Sequence, residues 1–187
     1  MTIDSVCFTG NRPGKLQKPF VETSREILLM KKVLSWEILE LLRQGARRFY
    51  TGMAQGIDLI AAEELLAFRD EYPDLELIAV IPFLSQTRGW SQEWIQRYEL
   101  VLTQCSDIVV LYAEYNPHSY EKRNAFMVEH SDLILAVMKK TDPVRRSGSW
   151  QTVRMGLKQG KTVQAIFLEQ GVVTTQLLTR KDLCQSQ

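Results

Sequence analysis

The chain has 187 residues, of which 45% are hydrophobic and 24% are charged, and this composition is typical of one globular domain. Its 23 lysine and arginine residues nearly balance 22 aspartate and glutamate residues, so the formal net charge of +1 argues against a general polyanion binder but leaves room for a local basic patch. Three widely spaced cysteines and two histidines argue against a metal site, and no apolar run approaches the ~20 residues of a membrane span.

Apolar, strand-like runs alternate with amphipathic segments along the chain. In the first half, three predicted strands alternate with two predicted helices, at Ser5–Thr9, Ser24–Gln44, Arg47–Thr51, Gly56–Arg69 and Leu75–Ile81. In the second half, three predicted helices alternate with three predicted strands, at Ser91–Gln104, Ile108–Tyr112, Ser119–Glu129, Leu133–Val137, Ser149–Gln159 and Thr162–Phe167. The segment after Glu169 is polar, and we expect it to be only partly ordered.

This alternation predicts an α/β fold with a doubly wound, mostly parallel sheet of about six strands and helices on both faces. The fourth to sixth strands are nearly continuous apolar runs, as expected where helices cover both faces of a strand. We expect residues 1–187 to form a single domain, with a core at about residues 5–168 and a tail at 170–187. No N-terminal signal peptide is apparent, so we expect a cytoplasmic protein.

Small and polar residues follow the first three predicted strands. Because ligands of open parallel sheets bind beyond the carboxyl ends of the strands, we expect these residues to line a ligand site. Glycines allow close backbone approach, a helix that begins near Asp58 offers free N–H groups to a phosphate, and the Asp58 carboxylate would accept hydrogen bonds from ribose hydroxyls. The alternative is a plain strand-to-helix turn in which Asp58 satisfies the helix N-terminus. The candidate residues are Thr9, Gly10, Asn11, Arg12, Thr51, Gly52, Met53, Gln55, Gly56, Asp58, Pro82 and Phe83.

A second glycine turn, Ser147-Gly148-Ser149, begins the last predicted helix, and Thr152 lies one turn further on. Its hydroxyl and N–H groups would form another anion site. Arg145 and Arg146, just upstream, would strengthen that site because guanidinium groups pair with phosphate. The alternative is an ordinary serine N-cap beside a loop glycine.

Three further side chains are candidates for ligand contact. Arg123 and Asn124 lie together in a predicted helix, and Trp90 in a polar loop would stack on a base. The alternatives are a solvated helix face and a tryptophan at the edge of the core. No catalytic residue can be assigned, because no nucleophile is spaced recognisably from a base, and the chain contains neither GxxxxGK[ST] nor GxGxxG after its first strand.

Several segments in this order resemble the SLOG superfamily: TGNRP from Thr9, TGMAQGIDLIAAE from Thr51, KRN from Lys122 and SGSWQTVRMGLKQGKTV from Ser147. Together with the strand that ends at Ile81, they are most similar to the YpsA-type branch. The resemblance implies a Rossmann-like fold over about residues 5–167. It also implies binding of a nucleotide or nucleotide-derived ligand.

Two other branches of the superfamily are similar in part. DprA-type proteins, which load recombinase onto single-stranded DNA, share the patterns at Gly52–Asp58, Arg123-Asn124 and Ser147–Thr152. LOG-type phosphoribohydrolases carry a catalytic glutamate at the position of Thr152 in this chain. Threonine cannot replace a carboxylate in acid–base catalysis, and this difference argues against that reaction.

Three functional hypotheses follow. In the first, a nucleotide such as NAD or ADP-ribose binds without turnover, and the protein passes ligand occupancy to a regulatory protein partner. In the second, a hydrolase cleaves an N-glycosidic or phosphate bond with a carboxylate from Asp58 or Glu63. In the third, which the balanced charge disfavours, single-stranded DNA binds to a basic surface formed by Lys122, Arg123, Arg145 and Arg146. The sequence does not determine the oligomeric state, although related folds commonly form homodimers.

Overall fold

The computed structural model describes residues 3–140 and 147–183. Within these ranges the strands are β1 (Ser5–Gly10), β2 (Arg48–Thr51), β3 (Glu76–Ile81), β4 (Asp107–Val110), β5 (Leu133–Lys139), β6 (Thr162–Glu169) and β7 (Val172–Leu178). The α-helices are α1 (Pro13–Leu16), α2 (Arg25–Arg43), α3 (Ile57–Leu66), α4 (Gln92–Leu102), α5 (Ser119–Glu129) and α6 (Gly148–Lys158), and a 3₁₀ helix follows at Arg180–Leu183.

The strands form one sheet in the order β4-β3-β2-β1-β5-β6-β7. All neighbouring pairs are parallel except β6 and β7, which are antiparallel. The predicted α/β fold, with a mostly parallel sheet and Rossmann-like topology, is therefore confirmed. The strand order reverses at β1, which pairs with β2 on one side and β5 on the other, and ligands of such sheets bind at this reversal point.

Helices cover both faces of the sheet. On one face, α2, α3 and α4 contribute buried apolar side chains such as Leu34, Ile60 and Trp94. On the other face, α5 and α6 contribute side chains such as Met127 and Val153. No helix within the described ranges combines the length and apolarity that a bilayer crossing requires.

Local sequence signals set the ends of α2. The helix begins after Ser24, whose hydroxyl accepts a hydrogen bond from the Ile27 N–H at 3.4 Å. It ends before Gly45, which has a φ of +106° that glycine adopts without strain. These positions agree with the helix predicted over Ser24–Gln44.

The two edges of the sheet differ from what the sequence predicted. β4 is an edge strand, with Ile108 46% and Val110 41% exposed, so helices do not cover both of its faces. An apolar run of this length does not distinguish an edge strand from a central one. The sequence after Glu169, expected to be a partly ordered tail, contains β7; its exposed threonine and glutamine side chains hide the strand from a search for apolar periodicity.

The described cysteines are free thiols in protected positions. Cys7 on β1 is fully buried, and burial raises its pKa to about 12. Cys105 is partly buried, and burial raises its pKa to about 11. Cys184 lies outside the described residues.

Candidate functional site

A cavity of about 210 Å³ opens where the strand order reverses, at the carboxyl ends of β1 and β5. Five segments meet there: the end of β1, the short helix α1, the start of α3, the first half of α5 and the start of α6. The residues that line it are Thr9, Gly10, Asn11, Arg12, Lys15, Ala54, Asp58, Tyr120, Arg123, Asn124, Ser147, Gly148, Ser149 and Gln151.

Asn11 fixes the loop after β1. Its side-chain oxygen accepts a hydrogen bond from the Lys139 N–H at 2.8 Å, and its backbone N–H donates to the Val137 carbonyl at 3.0 Å. Its backbone carbonyl accepts a hydrogen bond from the Ile57 N–H at 3.3 Å. Asn11 is 1% exposed, and it therefore holds β1, β5 and the start of α3 together. Arg12, the next residue, is exposed at the rim of the cavity.

The turn between β2 and α3 is held by its own side chains. The Thr51 hydroxyl donates to the backbone carbonyl of Asp58 at 2.9 Å and accepts from the Met53 N–H at 3.2 Å. The Asp58 carboxylate accepts from the Ala54 N–H at 3.4 Å. Met53 has a φ of +54°, which is uncommon for a residue with a side chain.

The two glycines of this turn make room for protein atoms. A Cβ at Gly52 would lie 2.5 Å from a guanidinium nitrogen of Arg123. A Cβ at Gly56, where φ is +93°, would lie 2.6 Å from the backbone carbonyl oxygen of Asn11. Neither glycine lines the cavity, so the expectation that they bring backbone close to a ligand is not supported by their position.

Asp58 and Arg123 form a buried ion pair in the lining of the cavity. A guanidinium nitrogen of Arg123 lies 3.7 Å from a carboxylate oxygen of Asp58, and the same nitrogen donates to the Gly52 carbonyl at 2.8 Å. Nε of Arg123 donates to the side-chain oxygen of Asn124 at 3.0 Å. Burial raises the pKa of Asp58, and the nearby charge of Arg123 and the Ala54 hydrogen bond act in the opposite direction. Burial also lowers the pKa of Arg123, which stays protonated because guanidinium groups do not titrate in proteins.

The lining of the cavity carries a positive charge. Arg12, Lys15 and Arg123 are cations, and Asp58 is the one carboxylate among the described lining residues. The start of α6 adds the partial positive charge of a helix N-terminus, where Gly148 and Ser149 present N–H groups with no acceptor inside the helix. Within the described ranges, no three His, Cys, Asp or Glu side chains are grouped to hold a metal ion. The arrangement suits an anionic ligand.

One aromatic ring, that of Tyr120, lies in the lining. The ring packs edge-to-face on Phe83 with 5.5 Å between centroids, and the guanidinium carbon of Arg123 is 5.7 Å from its centroid. Phe83 is buried behind it and does not line the cavity. Trp90 packs against Tyr98 at 5.9 Å and against the core, so the interpretation of Trp90 as a core-edge residue is the one that agrees with its position.

The structure brings together ten of the nineteen predicted ligand-binding residues. These are Thr9, Gly10, Asn11, Arg12, Asp58, Arg123, Asn124, Ser147, Gly148 and Ser149. The other nine predicted residues do not line the cavity: Thr51, Gly52, Met53, Gln55, Gly56, Pro82, Phe83, Trp90 and Thr152.

Several polar side chains that were candidates for ligand contact, catalysis or DNA binding lie away from the cavity lining or outside the described residues. Thr152 is fully buried, and its hydroxyl donates to the Gly148 carbonyl at 3.3 Å within α6. Glu63 lies outside the cavity, and its carboxylate accepts a hydrogen bond from Nε of Arg97 at 2.7 Å. Lys122 lines a different groove on α5. Arg145 and Arg146 lie outside the described residues.

Sequence reasoning missed Lys15, Ala54, Tyr120 and Gln151. Two of them carried a usable signal: Lys15 lies three residues after Arg12, and Tyr120 lies three residues before Arg123 on the same face of α5. No local pattern distinguishes Ala54 or Gln151 from ordinary turn and helix residues.

The model of the YspA SLOG family matches residues 6–168. This chain belongs to the YpsA family of SLOG proteins. The matched range includes every described residue of the cavity lining.

Similar proteins occur in Bacillus. A UPF0398 protein of Bacillus thuringiensis (strain Al Hakam) is 29% identical over 140 residues, which is 74% of this chain and 76% of that protein. A UPF0398 protein of Bacillus cereus (strain AH187) has the same identity and coverage.

A solved structure of DNA processing protein A from Helicobacter pylori, described with single-stranded DNA binding, matches with a TM-score of 0.58 and 20% identity. The match covers 88% of this chain but only 65% of that protein, less than two thirds of its length. At this identity, the similarity concerns the fold.

Proposed function

We propose that the cavity binds the phosphate and sugar of a nucleotide or nucleotide-derived ligand, of the kind represented by NAD or ADP-ribose. The observation that carries this proposal is the charge of the lining, in which Arg12, Lys15 and Arg123 face one carboxylate among the described residues, beside the N-terminus of α6. Phosphate is stabilised by guanidinium groups and by free N–H groups at a helix start. A neutral or cationic ligand would leave this charge uncompensated.

Individual groups suit the two parts of such a ligand. Arg12 and Lys15 are exposed at the rim, where they can reach a phosphate without losing an existing partner. The side-chain oxygen of Asn124 is occupied by Arg123, which leaves the Asn124 amide N–H groups for a ligand oxygen. The Asp58 carboxylate, held by Ala54 and Arg123, is an acceptor for ribose hydroxyls.

The size of the cavity limits which part of the ligand it holds. Its volume of about 210 Å³ is below the roughly 300–1,000 Å³ of typical pockets for drug-sized ligands. We therefore assign the cavity to phosphate and ribose, with the base extending past Tyr120, whose partly exposed ring offers an apolar surface at the rim. The second half of a dinucleotide would lie outside the cavity.

Binding without turnover is favoured over hydrolysis. Asp58 is already engaged by a backbone N–H and an arginine, and Glu63 is paired with Arg97 outside the cavity. The lining contains no other described carboxylate and no described histidine or cysteine that would act as acid, base or nucleophile. The protein then acts as a sensor whose ligand occupancy is passed to a regulatory protein partner.

The test is ligand binding by calorimetry with ADP-ribose, NAD, AMP and ribose 5-phosphate. We expect saturable binding that raises the melting temperature, and about tenfold weaker binding for Arg12→Gln because one charged contact to phosphate is lost. Lys122→Gln is the matched control, since it removes an exposed cation of α5 outside the cavity. The absence of binding across the panel, or equal losses in both variants, would exclude the proposed site.

Single-stranded DNA is a second candidate ligand. Two observations favour it: the fold similarity to DNA processing protein A, and the exposed cations Arg12 and Lys15 beside a site for phosphate. Fluorescence anisotropy with a labelled oligothymidine at low and moderate salt distinguishes the candidates, because contacts to several phosphates give a steep fall of affinity with salt. If the anisotropy does not change when protein is added at low salt, while ADP-ribose still binds, single-stranded DNA is excluded as a ligand.

A further inference from the structure

The edge strand β7 lacks the features by which sheet edges usually avoid pairing. Its sequence, VVTTQLL over Val172–Leu178, contains no charged residue and no proline and is rich in β-branched residues. Among the described residues, no strand pairs with its outer side, and Val172 is 57% and Leu177 64% exposed. Natural edge strands are normally short, charged or interrupted by proline. The opposite edge, β4, fits that rule, because it has four residues and begins with Asp107.

The strand is complementary to itself when two copies run antiparallel about Thr175. In that register Thr175 faces its own copy and Thr174 faces Gln176 of the second copy. Val173 faces Leu177, and Val172 faces Leu178. Every cross-strand pair then joins side chains of like polarity, which is the arrangement that stabilises antiparallel ladders.

Helix α2 lies beside the same edge. Gln164 of β6 is opposite Leu177 in the sheet register, and its side-chain amide donates a hydrogen bond to Glu37 of α2. Leu177 therefore lies next to α2.

We propose that this chain forms a twofold homodimer in which the β7 strands of two copies pair antiparallel about Thr175. The seven-stranded sheet then continues into the second copy, and the two α2 helices lie on the same face of the joined sheet, on either side of the seam. Leu177 becomes buried or partly buried against the second copy. The dimer explains both the uncharged edge and the exposure of Leu177 with one contact. The ligand cavity stays open, because its described lining includes no residue of β6 or β7.

Sedimentation velocity of the full chain tests this proposal. At about 100 μM we expect a dimer for the wild type and a monomer for Thr175→Lys, because two ammonium groups would then face each other at the axis. Thr175 is exposed, and lysine is well tolerated on a free edge strand, so this variant keeps its fold. Gln104→Lys, an exposed substitution just after α4, is the matched control and stays dimeric.

A charge exchange tests the register itself. Thr175→Glu alone is expected to be monomeric, whereas an equimolar mixture of the Thr175→Lys and Thr175→Glu proteins is expected to form a heterodimer through opposite charges at one pair. A monomeric wild type, or a Thr175→Lys protein that dimerises like the wild type, would overturn the proposed interface. A mixture that remains monomeric would overturn the pairing of Thr175 with its own copy. Binding of ADP-ribose to the monomeric variant is expected to equal that of the wild type, so the outcome is independent of the proposed ligand site.

Discussion

Replacing Arg123 by methionine, which removes the guanidinium group and keeps much of the side-chain volume, is expected to destabilise the protein strongly. Arg123 is 8% and Asp58 5% exposed, so the variant leaves the carboxylate and the Gly52 carbonyl buried without their partner. Removal of one member of a buried ion pair typically costs about 3–5 kcal/mol. The two charged groups are 3.7 Å apart, beyond hydrogen-bond distance, and we therefore expect the lower end, about 3 kcal/mol.

The Asp58→Asn variant and the double variant that combines it with Arg123→Met isolate the energy of the ion pair. Asp58→Asn keeps an oxygen that accepts from Ala54 but leaves the buried Arg123 guanidinium without its counter-ion, so its cost is also expected to be about 3 kcal/mol. The double variant leaves no unpaired charge and is expected to cost at least about 1 kcal/mol less than the sum of the single variants. Urea denaturation followed by circular dichroism measures these free energies of unfolding. A cost below about 1 kcal/mol for Arg123→Met, or strict additivity, would refute this account of the pair.

The pH dependence of the same variant has a definite sign. Burial raises the pKa of Asp58 and Arg123 opposes that shift, so the pKa rises further when Arg123 is removed. A carboxyl group with a raised pKa in the folded state contributes its stability below its unfolded pKa, and this contribution is lost as the pH rises through the folded-state pKa. The free energy of unfolding that Arg123→Met loses relative to the wild type is therefore expected to shrink as the pH falls from neutrality toward 3.8, the ordinary pKa of aspartate. A deficit that stays constant over this range would contradict the assignment.

Three further predictions concern other positions. Gly56→Ala is expected to cost at least about 2 kcal/mol in urea denaturation, because φ is +93° and the new Cβ would lie 2.6 Å from the Asn11 carbonyl oxygen. Burial would raise the pKa of Asp132, but hydrogen bonds from the Ser5 hydroxyl and N–H and the Asp4 N–H lower it overall. Its stabilising contribution is therefore present at neutral pH and lost as the pH falls through the lowered pKa. The melting temperature of Asp132→Asn is expected to be lower than that of the wild type at neutral pH, and thermal melts at acidic pH are expected to show the difference shrinking. Cys7, whose pKa is about 12, is expected to resist iodoacetamide at pH near 8 in the native protein and to react in urea, as measured by mass spectrometry.

The order of elements was predictable because buried parallel strands and amphipathic helices leave distinct periodicities. The central strands β1, β5 and β6 are apolar over most of their length, and α2 places its buried side chains at three- and four-residue steps. The edges were not predictable in the same way. β7 is stabilised by its ladder to β6 and buries few side chains, so composition alone does not distinguish it from a polar tail.

The site was predictable to the extent that topology determines it. Residues after parallel strands must share one edge of the sheet, so Thr9–Arg12 and Asp58 meet, and the start of α6 meets them from the other side of the reversal point. The depth of each residue was not predictable. Phe83 and Tyr120 are both aromatic and lie in contact, yet only Tyr120 reaches the cavity, because Phe83 is packed behind it.

The glycine turn of this chain has a structural role that the sequence motif alone does not reveal. From the sequence, Gly52 and Gly56 resemble a phosphate-binding loop, yet in the structure each admits a protein atom that a Cβ would displace. The atom that Gly52 admits belongs to Arg123, 71 residues away. The TGMAQGID and KRN segments therefore form one structural unit, in which a glycine in the first is needed because an arginine in the second is buried. The groups at the rim that are left to meet a phosphate are then those of Arg12, Lys15 and Gly148, which are exposed and carry charge or a free helix terminus.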